Sequence, residues 1–327
     1  MMIKAAIIGM GIGNKHYEAI ENYKSSEVKI ICEFNKKKIK ELKKRFPKKI
    51  ITNNEEAIFK DKNINLVSIA SYDNYHFRQI IKCIRHNKNI IIEKPMCLNL
   101  NQLKKIYNLA KKNKKIKITS NLVLRVNDLF KKFKKKINIS DIYYIEGDYI
   151  WGRKNKLFGW RSKINNYSVT LGAGIHMIDL INWITKLKPV SVYAVANKKI
   201  TKNSSFKRNS LVTMIFEYPK DILVKITANC TAIFNHIHEL KIFTKNQTLI
   251  NSDNGSYMYT SGRKKLIRSN YPDKKNRKRV IRNLIDMIQN KNTKPIISFK
   301  EQIDLMTICF AVDKSVSLNK KIKIKYL

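Results

Sequence analysis

The feature that most constrains this chain is a glycine loop near its start, Gly9-Met10-Gly11-Ile12-Gly13. It follows an apolar run that predicts a strand over residues 4–9, and it opens a helical pattern over residues 15–23. Glycines at such a junction allow a tight turn and let backbone approach a pyrophosphate. The free N–H groups and positive dipole end of the helix then face the phosphates. The spacing is G-x-G-x-G, one residue shorter than G-x-G-x-x-G, and Asn14 stands where the third glycine usually falls. Short glycine loops also serve as plain strand–helix turns, so the meaning of this one depends on the rest of the chain.

Beyond the loop the chain alternates regularly. Strand-like runs at 28–33, 66–70, 89–93 and 116–120 are separated by helical patterns at 36–46, 54–59, 75–87 and 101–112. Strands alternating with helices imply βαβ units, a parallel sheet and right-handed crossovers. After residue 122 the pattern changes. A strand at 142–151 and a helix at 174–185 precede strand-like runs at 190–196, 211–218, 222–229 and 239–244, joined by short turns such as Tyr218-Pro219-Lys220-Asp221. This predicts a largely antiparallel sheet. Helical patterns return at 278–289 and 300–317. The expected organisation is α/β: a doubly wound Rossmann domain over 1–122, then an α+β domain over 123–327 whose last helix packs back on the first domain.

Two strand ends carry chemistry. Glu33 closes the second strand, 22 residues after Gly11, near the spacing at which an acidic side chain binds the adenosine ribose hydroxyls. Its charge disfavours a 2′-phosphate, so NAD is the expected cofactor. Lys36, Lys37 and Lys38 follow directly and keep NADP as the lesser alternative. The fourth strand ends in Glu93-Lys94-Pro95. Ligands of open α/β sheets sit beyond the carboxyl ends of strands, which places Lys94 near a bound nicotinamide. There its ammonium can hydrogen-bond a substrate hydroxyl.

Sixty-seven Lys and Arg stand against 24 Asp and Glu, a net charge of +43. Lysine far outnumbers arginine and is spread along the whole chain, which reads as compositional drift more than as a nucleic-acid footprint. The densest stretch, 263–279, could still form a local basic patch. The charge raises the local concentration of anionic ligands. No apolar run reaches the roughly 18 residues of a membrane span, and the chain is expected to be cytoplasmic. Five scattered cysteines show no C-x-x-C spacing, so neither a disulfide framework nor a zinc site is indicated. His236 and His238 form an H-x-H with no convergent third ligand evident, and no metal site is expected.

These motifs together resemble the glucose–fructose oxidoreductase / inositol 2-dehydrogenase (Gfo/Idh/MocA) family, in order over essentially the whole chain. The resemblance rests on GMGIGNKH (9–16), VKIICE (28–33), LVSIASYDNYH (66–76), IIIEKP (90–95), GWRSKINNYS (159–168) and GAGIHMIDL (172–180). The family includes forms with this short glycine loop and a histidine three residues later, here His16. The resemblance implies that Gly9, Gly11, Ile12, Gly13, Glu33, Ser71, Asn74, His76, Glu93 and Lys94 bind the cofactor. It implies that Lys94 and His176 are catalytic, with His176 as the general acid or base. It also implies a second domain whose sheet face makes a homodimer or homotetramer. Many members carry an aspartate four residues before that histidine; here the position is Gly172. Acid–base work then rests on His176 with Lys94. Asp179, three residues later, either takes part or orients His176.

The resulting expectation is an NAD-dependent enzyme that transfers hydride between nicotinamide and a secondary alcohol of a sugar, nucleotide sugar or cyclitol, one that could be anionic. Lys94, Trp160, Arg161, Tyr167, His176 and Asp179 are the expected substrate residues. Tyr149, Trp151 and Arg153 add aromatic faces and a guanidinium for stacking and bidentate pairing. The segment that carries these aromatic and arginine residues, 149–167, is similar to that of family enzymes acting on surface-polysaccharide or nucleotide-linked sugars. Two other readings stay open. One is a hydrolase of the same fold that cleaves glycosides through transient NAD oxidation. The other is a non-catalytic protein that binds NAD or nucleic acid.

Overall fold

The computed structural model describes residues 1–327. The chain begins with β1 (Ile3–Ile8), α1 (Gly13–Ile20), β2 (Ser26–Cys32), α2 (Lys36–Arg45), β3 (Ile50–Thr52) and α3 (Glu56–Lys60). It continues with β4 (Leu66–Ile69), α4 (Asp73–Arg85), β5 (Asn89–Ile92), α5 (Leu100–Lys112) and β6 (Ile118–Ser120). The six strands form one sheet in the order β3-β2-β1-β4-β5-β6, parallel throughout. That is the dinucleotide-binding order, with its switch point between β1 and β4. Helices cover both faces of such a sheet, so its strands read as continuous apolar runs. β4 and β6 are buried at every residue, and β1 at all but one. Edge strand β3 is only three residues long and nowhere fully buried, too short to show a period in the sequence.

The second half holds α6 (Asp128–Lys136), β7 (Ile142–Ile150), α7 (Asn155–Phe158), α8 (Ile175–Thr185), β8 (Ser191–Asn197), β9 (Leu211–Tyr218), β10 (Ile222–Asn229) and β11 (Ile237–Thr244). β12 (Thr248–Ser252), β13 (Gly255–Thr260) and β14 (Arg263–Leu266) come next. These strands, with β15 (Ile322–Lys323) at the far edge, build a nine-stranded sheet ordered β14-β13-β12-β11-β7-β10-β9-β8-β15. Only the β7–β10 pair is parallel; the others are antiparallel. One face is apolar: in β10 Ile222, Val224, Ile226 and Ala228 are buried in alternation. Helix α8 covers part of it and is buried at nine of its eleven positions. Gly147 of β7 permits that approach, since a Cβ there would lie 2.9 Å from Met177 Cε. On the opposite face Tyr193, Val195, Ile215 and Leu223 are exposed. Beside them Lys225 bridges Glu146 at 2.9 Å and Asp148 at 3.1 Å.

The last helices are α9 (Lys278–Gln289) and α10 (Phe299–Leu318). The chain forms two compact units, residues 1–122 with 275–303, and residues 123–274 with 304–327. The segment that returns to the first unit therefore carries α9 and only the first residues of the last helix, where Gln302 donates to the Ile118 carbonyl at 2.9 Å. The reason is visible in α9 itself. It is amphipathic and buries Val280, Ile281, Leu284 and Ile285. Arg282 donates to the Ala19 carbonyl at 3.3 Å, and the Tyr23 hydroxyl donates to Asp286 at 3.2 Å. The boundary between the units falls inside α10. No helix is long and apolar enough to cross a membrane.

Candidate active site

In the first unit the three loop glycines do three different things. Gly9 has φ +87°, and a Cβ there would lie 2.6 Å from the Ala70 carbonyl oxygen, so only glycine fits between β1 and β4. Gly13 starts α1, and a Cβ there would lie 3.0 Å from Ile7 Cγ2, so its absence lets the helix sit close on β1. It does the work of the third glycine one residue earlier than the usual spacing. Gly11 lies between them, and nothing stands within 4 Å of where its Cβ would be. That open cradle lies at the amino end of α1, where no side chain caps the free N–H groups. It suits a phosphate. Ile12, half exposed at the helix start, belongs to the same edge. Glu33 completes the cleft floor. Its Oε2 accepts from Met10 N at 3.1 Å and its Oε1 from Phe34 N at 2.9 Å, which fixes the carboxylate under the loop. Lys38 reaches it at 4.0 Å. The residues present fit a dinucleotide.

The turn that carries Lys94 is pinned on both sides by buried histidines. His16, on α1, places Nδ1 2.7 Å from Ser68 Oγ of β4 and Nε2 2.9 Å from Glu93 Oε1. Asn121, just after β6, donates to the same carboxylate oxygen at 2.7 Å. Burial pushes the Glu93 carboxyl up, but the His16 hydrogen bond and charge, the Asn121 amide and the Lys94 charge together hold it below the usual carboxylate range. On the other side His76 of α4 has Nδ1 2.7 Å from the Pro95 carbonyl and Nε2 3.2 Å from the Ser71 carbonyl. One expected cofactor contact is thereby corrected. His76 is wholly buried, with both ring nitrogens facing backbone carbonyls, so it sets the Lys94 turn and does not line an open surface. Glu93 is engaged by His16 and Asn121, and its side chain stays 15% exposed. The Ser71 hydroxyl donates to Gln79 at 2.6 Å, whereas Asn74 is exposed. Lys94 itself is half-buried.

In the second unit His176 sits in the first turn of α8, directly after a π-helical stretch, Thr170–Gly174. Such wide turns recur at functional sites. The imidazole stacks on Tyr149 of β7, with centroids 5.7 Å apart and planes 8° apart, and meets His238 of β11 edge-on at 6.2 Å. His236 and His238 pack against each other at 4.9 Å and against Tyr149 at 5.3 and 5.0 Å. His238 Nδ1 lies 2.8 Å from the Tyr271 hydroxyl. The H-x-H thus belongs to an aromatic wall beside His176. The sequence showed its two histidines but not that Tyr149 and Tyr271 join them.

Asp179 is a further correction. It is buried and held by Arg125, Nη2 to Oδ1 at 2.7 Å and Nε to both oxygens at 3.1 Å, so it is an internal ion pair and not a substrate contact. Tyr167 is likewise buried, with its ring edge-on to Phe206 at 5.7 Å. Arg161 remains accessible. Its guanidinium lies 4.1 Å from the Trp160 ring and 5.2 Å from Trp151, a geometry that leaves N–H edges for an anion or hydroxyls. Behind Tyr167 lies a cavity of about 300 Å³, lined among others by Ser168, Lys198, Lys207, Arg208 and Asp313. Burial pushes the Asp313 carboxyl up to about 6, although Ser168 and Thr170 hydrogen-bond it.

Comparisons with known proteins agree with this architecture. Residues 3–121 match the model of an oxidoreductase family with an NAD-binding Rossmann fold, and residues 131–257 match the GFO/IDH/MocA C-terminal domain. An uncharacterized oxidoreductase of Synechocystis is 22% identical over 190 residues, covering 56% of this chain and 51% of that protein. A myo-inositol 2-dehydrogenase of Thermotoga maritima is 25% identical over 136 residues, covering 41% and 40%. The matches span about half the length of these curated relatives or less. Among solved structures, a myo-inositol 2-dehydrogenase from Lactobacillus plantarum superposes with a TM-score of 0.84 at 17% identity, over 99% of this chain and 100% of that one. A scyllo-inositol dehydrogenase from Lactobacillus casei with bound NAD(H) and scyllo-inositol gives 0.82 at 16% identity, over 99% of each chain.

Proposed function

The chain belongs to the GFO/IDH/MocA family of oxidoreductases, and from that premise we propose that it interconverts a secondary alcohol and a ketone on a cyclitol or sugar, with NAD as the hydride carrier. The observation that carries the reading is the Lys94 turn. A lysine at the carboxyl end of β5 is held rigidly from two helices, through His16–Glu93 and His76–Pro95. A surface lysine needs no such support.

Gly9, Gly11, Gly13 and Glu33 hold the dinucleotide, and Glu33 selects NAD by accepting from ribose hydroxyls and repelling a 2′-phosphate. Bound there, NAD supplies a nicotinamide C4 that takes or returns hydride. Lys94 hydrogen-bonds the alcohol oxygen and polarises it. His176 takes the hydroxyl proton as the carbon gives up its hydride, and returns it in the reverse direction. Arg161, seated on Trp160, stacks against the substrate ring or binds an anionic substituent. The exposed Tyr193, Val195, Ile215 and Leu223 support assembly of a homodimer or homotetramer through that sheet face.

The test is a panel of myo-inositol, scyllo-inositol, hexoses and nucleotide sugars with NAD, read as NADH formation. His176→Ala and Lys94→Ala should each lose about 10²-fold or more in kcat while NAD binding, followed by calorimetry, is retained. Turnover preserved in both variants would sink the assignment.

A further inference from the structure

We propose that the cavity behind Tyr167 is a second small-molecule site, which takes a sugar-sized anion: its phosphate or carboxylate on Lys198, Lys207 and Arg208, and its hydroxyls on Asp313 and Asn209. None of these residues serves the reaction proposed above, so the site stands apart from Lys94 and His176.

The cavity belongs to the second unit alone. Its walls come from the β8–β9 connection, the strand ends at Ala196 and Val212, segment 167–170, and α10 through Asp313 and Val316. Tyr167 closes it toward α8. A Cβ on Gly172 would lie 2.6 Å from Tyr167 Cζ, so the absence of a side chain there lets the ring stand as a wall. At about 300 Å³ the cavity lies at the lower end of ligand pockets. That volume suits a sugar phosphate or a uronate and is too small for a dinucleotide.

The cations are brought together by the hydrogen bonds of their own loop. Thr201, wholly buried, sets its hydroxyl between the carbonyls of Lys198 and Arg208 and donates to the latter. At the base of the loop Ser210 N donates to the Asn197 carbonyl at 2.9 Å. Lys207 is held at φ +49°, a left-handed backbone uncommon for a residue other than glycine. Arg208 is half-buried, and its Nη1 donates to the Ser162 carbonyl at 3.2 Å and the Phe206 carbonyl at 3.4 Å. The guanidinium is thus fixed, with Nε and Nη2 left for a ligand.

Two observations set this group apart from the many surface lysines of the chain. Lys198 and Lys207 form no ion pair, although Asp313 lines the same cavity. Nor does Asp313 respond to them. Burial pushes its carboxyl up to about 6, and only hydrogen bonds from Ser168 and Thr170 act the other way. A cation close by would hold a carboxyl low. The cavity therefore has a positive end and a separate acceptor end. A polyhydroxy anion matches both: its charged group meets the cations in charge-assisted hydrogen bonds, and its hydroxyls donate to the Asp313 carboxylate.

The test is calorimetry of the whole chain at pH 8, where Asp313 is ionised, with glucose 6-phosphate, glucuronate, glucose and inorganic phosphate. At least one of the two sugar anions should bind with Kd below about 1 mM, and whichever binds tighter identifies the anionic group as phosphate or carboxylate. Glucose and inorganic phosphate should each bind at least ~10-fold more weakly, since each meets one end only. Lys207→Ser and Arg208→Gln should each weaken the tighter sugar anion about 10-fold. Lys264→Ser and Lys265→Ser, on exposed strand β14, remove the same charge elsewhere and should leave that affinity unchanged. Arg161→Gln, which removes the guanidinium expected at the reaction site, should leave it unchanged as well. The proposal is overturned if neither sugar anion binds saturably, if inorganic phosphate binds as tightly, or if the β14 variants share the loss. It is equally overturned if binding is lost in Arg161→Gln and kept in Lys207→Ser, since the anion then sits in the reaction site.

Discussion

Gly11 and Gly172 are both motif glycines, one in each unit, and their missing side chains leave opposite surroundings. Around Gly11 nothing lies within 4 Å of a would-be Cβ, so the empty volume is available to a ligand. Around Gly172 the volume is taken by another residue of the same chain. The first absence of a side chain leaves a cradle open, and the second makes room for Tyr167. A glycine in a motif is thus informative only together with what fills its missing side chain.

The contrast can be broken most severely at Gly9, where both backbone and space are closed. Gly9→Ala must adopt φ near +87° and meet the Ala70 carbonyl at 2.6 Å. It should cost about 3 kcal/mol or more and abolish NAD binding, seen as a lowered Tm that NAD no longer raises. A Tm within a degree of wild type would show that the β1–α1 turn tolerates a side chain. Gly11→Ala sharpens the contrast. With open space around it, stability should change by less than about 1 kcal/mol, while the methyl enters the cradle and weakens NAD binding at least ~10-fold by calorimetry. Unchanged affinity would remove Gly11 from the phosphate site.

The smallest effect belongs to Asp313, behind the segment that carries Tyr167. Its carboxyl is raised from 3.8 to about 6, so the folded protein binds its proton more tightly than the unfolded chain does. That contribution to stability is present at acid pH and is lost as pH rises through about 6. Asp313→Asn, uncharged at all pH, should therefore gain Tm relative to wild type at pH 8 and not at pH 4. An equal shift at both pH values would mean that the carboxylate is not destabilised by its burial.

The two units also differ in how openly their sequences display them. In the first unit the inner strands β1, β4 and β5 are almost wholly buried, so each appears as an apolar run, and the glycine loop and Glu33 lie within one βαβ unit where local spacing predicts their meeting. What spacing could not display is who holds the Lys94 turn. His16 and Glu93 are 77 residues apart and meet only because α1 crosses between strands. In the second unit the main antiparallel strands were legible from their turns. α6, a helix rich in lysine, reads as plain polar sequence, and β12 to β14 are short and lightly buried. Asp179 lies on the face its spacing from His176 suggests, but its partner Arg125 is 54 residues away, and no local pattern reveals that an ion pair is already satisfied. The Tyr167–Gly172 exchange is legible only in three dimensions, because it depends on the direction of one ring.

The nine-stranded sheet has one more consequence. It is open, and an open sheet presents unpaired N–H and C=O groups along its two outer strands, which invite pairing with another chain. Here one outer strand, β14, reads Arg-Lys-Lys-Leu and is exposed at every residue, and the other, β15, is two residues long and ends in Lys323. A short or lysine-rich margin repels a second copy that would dock strand to strand. Whatever first enriched the chain in lysine, at these two margins the excess positive charge works against aggregation.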